Sequence, residues 1–588
     1  MTTDFRSHFP VFSAADQRGL PVWLDNAATT HKPQSVVDTV RKYYCETNAN
    51  VHRAAHQQGS WATLVFEEAR DRVRQLINAR FSDEILWTSG ATEALNLLAF
   101  SWGRSQLRAE DEILLSAMEH HANIVPWQQT AAQTGARIRV IPVTPEGELD
   151  GEAFEQLLSR RTRLLAITHI SNALGTINPL VSMIARARAL GITTLVDGSQ
   201  AIAHLPVDVQ KLGCDFYVFS GHKMYGPTGT GVLYGRRELL VDMPPWKTGG
   251  QMVERVSFSE SSFLPPPLRF EAGTPNVAGV MGLAAAVDFL ASQDRQALMA
   301  HEERLRLRLE SALDAMPAVR RIGRTAHRSA IVSFTVEGMH AHDVGLLLDQ
   351  QGVAVRAGHH CAMPLMEALG LSGTVRASLA CYNTVSDVDR LIRALHQVLD
   401  ATRPLMRTPA APGTSARASV RPNAVALSVF MQFPVFNEEG RDLLAARLLE
   451  APSWQERYRR IMQLAQELPC LPDSMRSDAA RLSGCSSGLW LHRYYCASHH
   501  RLYFALDSDA RIMRGLGAIV LYCLNGRSPE DVLTCDPAAF LADLKLERHL
   551  NPSRENGLHQ LIKAMKGVAK DLACQSDQDR TPASSDAG

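Results

Sequence analysis

The chain has 588 residues, which predicts two or more domains. Its 61 basic and 61 acidic residues balance to a formal net charge of zero, which argues against a nucleic-acid-binding or membrane-surface protein. The sequence shows no signal peptide. It also shows no apolar stretch of the roughly 20 residues that a membrane-spanning helix needs. Ten cysteines without a C-x-x-C pair favour a reducing cytoplasm, where free thiols can react.

Strand patterns alternate with helical stretches through the first half of the chain. An extended segment at 21–24 is followed by apolar, β-branched runs at 84–89, 112–116, 138–143, 164–169, 192–196 and 215–219. This alternation predicts an α/β fold with a mostly parallel sheet and helices on both faces. Ligands of such sheets bind beyond the carboxyl ends of the strands.

Eight polar residues suited to a ligand site follow directly after these strands. They are Thr92, His120, Asn172, Asp197, Gln200, Ser220, His222 and Lys223. Thr92 opens a helix after a glycine, which is typical of an anion site, although threonine is also a common helix cap. Packing alone does not explain eight such residues at corresponding positions, so we expect them to converge on one rim of the sheet.

Lys223 is the most informative of the eight residues. A lysine at the inner end of a core strand is costly to bury unless it is paired or neutralised, and an isolated one usually extends to the surface. Here Asp197, at the end of another strand, supplies a carboxylate. An amine and a carboxylate in this arrangement are what pyridoxal phosphate needs, since the lysine forms a Schiff base and the aspartate keeps the pyridine nitrogen protonated.

A smaller α+β domain is predicted from about residue 291. A charged helix at 295–316 precedes strand patterns at 329–336, 353–356 and 374–378. We expect a large domain over about 16–290 and a small domain over 291–402 together with the N-terminus. The segment between the last two strands carries two histidines and Cys361, a set that is unsuited to a tetrahedral metal site because three adjacent residues cannot easily surround one ion.

Composition changes again after residue 402. Residues 403–425 are rich in Pro, Ala, Ser, Thr and Arg without apolar periodicity, which predicts a flexible linker. Residues 426–574 contain amphipathic helical patterns and two strand patterns at 488–496 and 501–506, which predict a separate α+β domain. The polar residues 575–588 are expected to be disordered.

Four segments of the first 402 residues resemble motifs of one family, the cysteine desulfurases of the SufS type. They are MEHHANIVPW at 118–127, SGHK at 220–223, EAGTPN at 271–276 and RAGHHCAMP at 356–364. The resemblance covers about residues 5–402 and implies a pyridoxal-phosphate enzyme of fold type I, the aspartate-aminotransferase-like fold.

The resemblance also implies roles for individual residues around the cofactor. Lys223 would form the Schiff base, His120 would stack on the ring, and Asp197 and Gln200 would contact its polar atoms. The residues implied for the phosphate are Thr92, Ser220 and His222, with Thr274 reaching the phosphate of the other subunit of a homodimer.

The implied substrate is L-cysteine. Asn172, Arg356 and Arg376 would bind it, and the planar fork of Arg376 suits its carboxylate. Cys361 would attack the substrate sulfur, which leaves L-alanine and a persulfide.

The C-terminal domain resembles SufE, a sulfur acceptor, over about residues 427–573. The resemblance rests on LSGCSSGLW at 482–490, DSDA at 507–510 and HLNPSR at 549–554, which contain Cys485, Asp507 and Arg554. Ser487 and Leu489 stand where the family pattern has Gln and Val. The resemblance implies that Cys485 accepts the sulfur, for delivery to an iron–sulfur assembly scaffold.

Two other functions are compatible with the same residues. A selenocysteine lyase, another C–S lyase or an aminotransferase would need Lys223 and Asp197 but no acceptor thiol at Cys485. A non-enzymatic iron–sulfur scaffold would instead hold a metal or cluster in the C-terminal domain. Its cysteines and histidines at 470, 485, 496, 499 and 500 suggest zinc, but their spacing fits no zinc-finger pattern.

Overall fold

The computed structural model describes residues 5–13, 21–53, 55–406, 427–452, 454–482, 487–546 and 552–578. The chain divides into two compact units. The first unit comprises Met1–Glu337 and Leu347–Ala401, and the second comprises Gly338–Leu346 and Thr402–Gly588.

The described part of the first unit contains two larger sheets and two short strand pairs. Its strands are β1 (Val22–Trp23), β2 (Ile85–Thr88), β3 (Glu112–Ser116), β4 (Arg137–Ile141), β5 (Thr162–Thr168), β6 (Thr193–Asp197), β7 (Phe216–Ser220), β8 (Gly231–Gly235), β9 (Val253–Val256), β10 (Ser261–Phe263), β11 (Val319–Ile322), β12 (Ile331–Val336), β13 (Val353–Ala354), β14 (Arg356–Gly358) and β15 (Thr374–Ser378).

Helices separate these strands. Those of six or more residues before residue 407 are Gln34–Lys42, Gln57–Leu76, Ala91–Leu98, Val125–Thr134, Gly151–Leu157, Leu180–Ala189, Arg237–Asp242, Val277–Ala291, Arg295–Asp314, Ala341–Gln350, Met363–Ala368 and Val385–Met406. No single described helix is long and apolar enough to cross a membrane; Val277–Ala291 and Arg295–Asp314 meet that criterion only as a pair bent by 85°.

The central sheet has the order β2-β8-β7-β6-β5-β3-β4. Strands β4, β3, β5, β6 and β7 run parallel, and β8 pairs antiparallel with both β7 and β2. The prediction of a mostly parallel sheet is therefore confirmed. Strand β8 was missed, because its short sequence GVLYG follows a glycine-rich turn and shows too little pattern to predict a strand.

Both faces of the central sheet are buried, as the alternation along β7 shows. Phe216 and Val218 pack into one apolar cluster, whereas Tyr217 and Phe219 pack into another. Successive side chains of a strand point to opposite faces, so the two clusters lie on the two sides of the sheet. Because the strands from β4 to β7 are parallel, their carboxyl ends share one edge, where polar residues can meet without disturbing either core.

The second large sheet of the first unit has the order β11-β12-β15-β14, with every pair antiparallel. Gly358 at the end of β14 lies opposite Thr374 at the start of β15. The loop and helix between these two strands carry Cys361, so the sheet holds both ends of that segment.

The predicted linker begins too early. The helix Val385–Met406 includes 403–406, so these four residues are helical. The proline in this segment suggested that the helix had ended. Its other residues, Arg, Leu and Met, are good helix formers, which is consistent with the continuation of the helix. Residues 407–425, which make up the rest of the predicted linker, lie outside the described residues, as does residue 426.

The described part of the second unit contains one hairpin and several helices. Strands β16 (Leu489–Cys496) and β17 (Arg501–Ser508) pair antiparallel over eight residues each. The helices after residue 426 are Leu427–Phe430, Glu438–Leu449, Trp454–Glu467, Arg511–Leu524, Pro529–Thr534, Pro537–Asp543 and Pro552–Gln578.

The last helix includes residues 575–578, so the predicted disordered tail begins four residues too early. Residues 579–588 lie outside the described residues.

Candidate active site

Most of the predicted site residues meet at one cavity of the first unit. The cavity has a volume of about 290 Å³. The predicted residues that line it are Thr92, His120, Asn172, Asp197, Ser220, His222, Lys223, Arg356, Cys361 and Arg376. Residues that were not predicted complete the lining: Ala27, Ala28, Ala91, Ala122, Ser199 and His360.

Lys223 reaches this cavity from a short turn, Gly221–Lys223, directly after β7. Burial lowers the pKa of Lys223, and the negative charge of Asp197 opposes part of that shift. The preceding carbonyl, that of His222, accepts hydrogen bonds from Lys32 Nζ at 3.0 Å and from Thr30 Oγ1 at 3.1 Å. These contacts hold the backbone of Lys223 while its amine stays in the cavity.

Asp197 is the last residue of β6 and Gln200 lies three residues after it, but the two side chains occupy different positions. Asp197 is buried, lines the cavity, and accepts a hydrogen bond from the Ser199 N–H at 2.9 Å. Gln200 does not line the cavity; its Nε2 donates to the Ala27 carbonyl at 2.8 Å, behind the cavity wall. Gln200 therefore supports the wall in this structure, and its contact with a cofactor ring remains a prediction.

His120 presents a neutral ring to the cavity. Its Nδ1 accepts from the Ala122 N–H at 3.1 Å. Burial and the positive charge of Lys223 lower the pKa of His120 to about 4, so the imidazole is uncharged near neutral pH. A flat uncharged ring in this position can stack on an aromatic cofactor.

An anion can bind where the helix Ala91–Leu98 begins. The Ala91 N–H donates to Ser220 Oγ at 2.9 Å, which joins the helix start to the end of β7. Thr92 and His222 line the cavity beside this contact. The remaining N–H groups of the first turn and the helix dipole favour a negative group such as a phosphate.

Two arginines at the cavity share one carboxylate. The buried Arg376 donates to Asp25 Oδ1 at 3.1 Å and to the Asn172 carbonyl at 2.8 Å. Arg356 reaches Asp25 Oδ2 at 2.9 Å. Among the described residues the buried Nε of Arg376 has no hydrogen-bond partner, and the residue lines the cavity.

Cys361 lies in the loop between β14 and the helix Met363–Ala368. Its side chain is a free, exposed thiol at the cavity. The neighbouring His360 is buried, and its Nε2 is 2.8 Å from Thr374 Oγ1. The described residues contain no group of three or more His, Cys, Asp or Glu side chains that could hold a metal ion.

Thr274 is the other predicted residue that lies away from the cavity. It lines a separate surface pocket with Trp246 and Lys247. Its Oγ1 accepts a hydrogen bond from Asn50 Nδ2 at 3.4 Å. Within one chain, Thr274 therefore does not line the cavity that contains Lys223 and Thr92.

In the second unit, Asp507 is the centre of a buried polar cluster. Its Oδ2 accepts from the Leu471 N–H at 3.0 Å and from Arg476 NH2 at 2.7 Å, and its Oδ1 lies 3.2 Å from Arg514 Nε. Arg554 is also buried and donates to the hydroxyl of Tyr458. Cys485 lies outside the described residues.

Comparison with known proteins identifies the family. Residues 22–391 match the family model described as aminotransferase class-V. A probable cysteine desulfurase of Vibrio cholerae is 50% identical over 395 residues, which cover 67% of this chain and 98% of the relative. The chain belongs to the cysteine desulfurases of the class-V aminotransferases.

Solved cysteine desulfurases share the fold of this part of the chain. The crystal structure of the Escherichia coli cysteine desulfurase CsdA in its S-sulfonic acid form aligns with a TM-score of 0.64 at 42% identity, over 68% of this chain and 98% of that one. The apo structure of a cysteine desulfurase from Thermococcus onnurineus aligns with the same TM-score at 36% identity, over the same shares of the two chains. Fold type I is confirmed.

A second family model covers the C-terminal part of the desulfurase chain. Residues 442–569 match SufE, described as an Fe-S metabolism associated domain. The prediction of a cysteine desulfurase fused to a SufE domain is therefore confirmed.

Pyridoxal phosphate is the cofactor of this family, and the cavity suits it. An amine, a carboxylate, a neutral imidazole and a helix start line one space, which matches the aldehyde, the pyridine nitrogen, the ring face and the phosphate of the cofactor. Asp25 is the main contributor that sequence reasoning missed. Its position after a strand was visible, but nothing in the sequence pairs it with two arginines more than 300 positions away.

Proposed function

We propose that this chain converts L-cysteine to L-alanine and transfers the sulfur first to Cys361 and then to Cys485. The observation that carries the proposal is that Lys223, Cys361 and Arg376 line one cavity. An amine for proton transfer, a thiol for sulfur transfer and a cation for the substrate carboxylate are then within reach of one small amino acid.

Arg376 would bind the carboxylate of L-cysteine. Its side chain lines the cavity, and its contact with the Asn172 carbonyl fixes the plane of the guanidinium. Burial lowers the pKa of Arg376 to about 10, and Asp25 opposes that shift, so the group stays positively charged at neutral pH. This arrangement directs the substrate side chain away from the arginine and toward the rest of the cavity.

Other residues that line the cavity would hold the cofactor. Lys223 would bind its aldehyde carbon, Asp197 its pyridine nitrogen, and His120 the face of its ring. Thr92, Ser220 and His222 would bind its phosphate. Pyridoxal phosphate supplies an electron sink for the charge that develops when the Cα–H bond of the substrate is broken.

Lys223 would carry the proton and Cys361 the sulfur. Because burial lowers its pKa, the amine of Lys223 can exist uncharged and take a proton from the substrate Cα. The Cys361 thiolate then forms a bond to the substrate sulfur while the C–S bond breaks, and the carbon product takes up protons to become L-alanine. In balance, L-cysteine and one thiol give L-alanine and one persulfide.

Cys485 would accept the sulfur in a second step. Its thiolate attacks the outer sulfur of the Cys361 persulfide, which restores the Cys361 thiol and leaves a persulfide on Cys485. The SufE domain that contains this residue supports the step.

Mass spectrometry of the full chain after exposure to L-cysteine tests the proposal. We expect one additional sulfur on the peptide with Cys361 and one on the peptide with Cys485, together with L-alanine. The Cys361→Ser variant should lose alanine production from cysteine while it keeps the absorbance of the bound cofactor. The Cys485→Ser variant should still carry sulfur on Cys361.

The other enzymatic candidates give different results in this experiment. A lyase or aminotransferase that acts without a thiol acceptor would keep its turnover in the Cys361→Ser variant, and that outcome contradicts the proposal. An unmodified Cys361 peptide in the wild-type chain after turnover of L-cysteine also contradicts it.

We also propose that the enzyme is a homodimer of the SufS type. Thr274 lies outside the cavity within one chain, and the tip of the hairpin formed by β9 and β10 exposes the ring of Phe258 completely. Both features support a second subunit that contributes Thr274 to the phosphate site. Analytical ultracentrifugation should give the mass of two chains, and a monomer at micromolar concentration would contradict the proposal.

The final sulfur acceptor is proposed from the second family model. An Fe-S metabolism associated domain supports delivery to an iron–sulfur assembly scaffold. The dilute cysteines of the sequence support a reducing cytoplasm as the location. Cluster formation on a purified scaffold, driven by L-cysteine and this chain, should fail with Cys485→Ser, and fractionation of cells should recover the chain with the cytoplasmic proteins.

A further inference from the structure

The loop that carries Cys361 has an unfavourable backbone conformation. His360 has a φ of 55° and Cys361 a φ of 54°, so two consecutive residues with a Cβ are in the left-handed region. Such residues rarely adopt this conformation, and it persists only when surrounding contacts hold it. The position of the Cys361 thiol therefore depends on the groups that contact the loop.

His121 contacts the loop on both sides of the thiol. Its backbone N–H donates to the Cys361 carbonyl at 2.8 Å. Its ring Nε2 accepts the Met363 N–H at 3.1 Å. The imidazole also lies against that of His359, with ring centroids 5.6 Å apart and an angle of 32° between the planes.

The remaining contacts act mainly before the thiol. Asn172 Nδ2 donates to the His360 carbonyl at 2.7 Å, and the Cys361 N–H donates to His359 Nδ1 at 3.1 Å. The segment after Cys361 is held by the Ala362 N–H, which donates to the His359 carbonyl at 2.9 Å, and by the ring of His121. Before Cys361 the side chain of Asn172 joins the loop to the segment after β5, and after Cys361 the ring of His121 joins it to the segment after β3.

We propose that His121 is a positioning residue that closes the left-handed turn around Cys361 and so sets the place of its thiol for sulfur transfer. The inference rests on the proposed role of Cys361. His121 follows His120 directly in the short turn after β3. The ring of His120 lines the cavity, and the ring of His121 contacts the loop that carries Cys361. The ring of His121 must be uncharged to accept a hydrogen bond at Nε2, and burial and His359 both lower its pKa in that direction.

Two variants of the full-length holoenzyme test the role of the ring. His121→Ala removes the acceptor, whereas His121→Gln keeps a side-chain oxygen that can accept the Met363 N–H. We expect His121→Ala to lower kcat by about 10- to 100-fold, because a small displacement of the nucleophile is enough for such a loss. The KM for L-cysteine should change less than about twofold, because Arg376 and its contacts are intact, and His121→Gln should recover most of kcat.

A second measurement does not depend on turnover. Hydrogen exchange of the Met363 amide, followed by mass spectrometry, should be faster in His121→Ala than in the wild type and slow again in His121→Gln. His396→Ala, which removes an exposed histidine of the helix Val385–Met406, is the control and should change neither kcat nor this exchange.

The proposal is overturned if His121→Ala keeps the wild-type kcat, if His121→Gln is as slow as His121→Ala, or if exchange at Met363 is equal in all variants. A failure of the proposed function looks different. In that case the wild-type chain itself forms no persulfide on Cys361, whatever the His121 variants do.

Discussion

At the scale of single residues, the active site depends on titratable groups that are kept out of water. Glu119, beside His120, is the clearest example. Its carboxyl group is buried and accepts hydrogen bonds from Ser116 Oγ at 2.5 Å, from Asn123 Nδ2 at 2.7 Å and from the Thr168 N–H at 2.9 Å. It therefore ties the end of β3 to the end of β5 directly behind the turn that carries His120.

Burial nevertheless raises the pKa of Glu119 to about 8, against the effect of these hydrogen bonds. Unfolding restores the ordinary value of about 4.5. Between these two values the folded chain holds a proton that the unfolded chain releases. The free energy of unfolding therefore falls as pH rises through this range, by up to about 1.4 kcal/mol per pH unit for this group.

Glu119→Gln removes this titration while it keeps a polar side chain of the same shape. We expect the variant to be less stable than the wild type at pH 5, because the hydrogen bonds of the protonated carboxyl are disturbed. The difference should shrink as the pH approaches 8, because only the wild type loses stability through this titration. Urea unfolding of the full chain at a series of pH values measures it. A difference that stays constant from pH 5 to 8 would show that Glu119 is already ionised in the folded chain.

At the scale of elements, the phosphate end of the cavity depends on how closely β8 approaches the start of the helix Ala91–Leu98. A Cβ added to Gly231 would lie 2.4 Å from the Cα of Gly90 and 2.8 Å from its carbonyl carbon. The neighbouring atoms are backbone, so they cannot move aside as a flexible side chain could. This close approach explains why a glycine begins β8.

Gly231→Ala should therefore destabilise the first unit by roughly 1–3 kcal/mol and weaken cofactor binding, because the displaced helix start carries Thr92. Gly151→Ala is a matched control: Gly151 also begins a regular element, but an added Cβ meets nothing within 4 Å. The control should change stability by less than about 1 kcal/mol. Urea unfolding and titration with pyridoxal phosphate measure both effects, and equal behaviour of the two variants would contradict the explanation.

At the scale of the whole molecule, the notable feature is that donor and acceptor families occur in one chain. If the segment 407–426 acts as a flexible linker, its ends have a typical separation of about 25 Å. A tether of this length raises the local concentration of the acceptor thiol to the millimolar range. Transfer from Cys361 to Cys485 should then be independent of protein concentration.

A protease site introduced into 407–426 tests this expectation. Before cleavage, the rate at which Cys485 gains sulfur should stay constant over roughly a hundredfold dilution, and after cleavage it should fall with dilution as a bimolecular reaction does. Alanine formation and mass spectrometry of the Cys485 peptide follow the two steps separately. A cleaved chain with the same transfer rate at every concentration would show that the covalent connection is unnecessary.

Local sequence was sufficient to find much of the cavity. Lys223 and Asp197 each follow a short apolar strand, and the residues of one strand are contiguous in sequence, so the strands could be recognised without knowledge of the rest of the fold. The rule that parallel strands end at the same edge then predicted that the two side chains would share one rim. Both line the same cavity.

Contacts between distant segments could not be found in this way. Asp25 and Arg356 are 331 positions apart, and Met363 lies 242 positions from His121. Each residue is unremarkable within its own segment, because the energy that joins the pair arises only when the two distant segments pack together. The same holds for β8, whose five residues acquire strand structure by pairing with β2 and β7.

The sequence by itself determined the family, the cofactor and the order of the chemical groups along the chain, because these depend on residue type and local spacing. The tertiary structure decided which of these groups share a cavity, which carboxylate holds the two arginines, and how the thiol loop of Cys361 is kept in its left-handed turn. Those properties depend on long-range packing, whose energy is shared among many residues and leaves no pattern in any one segment.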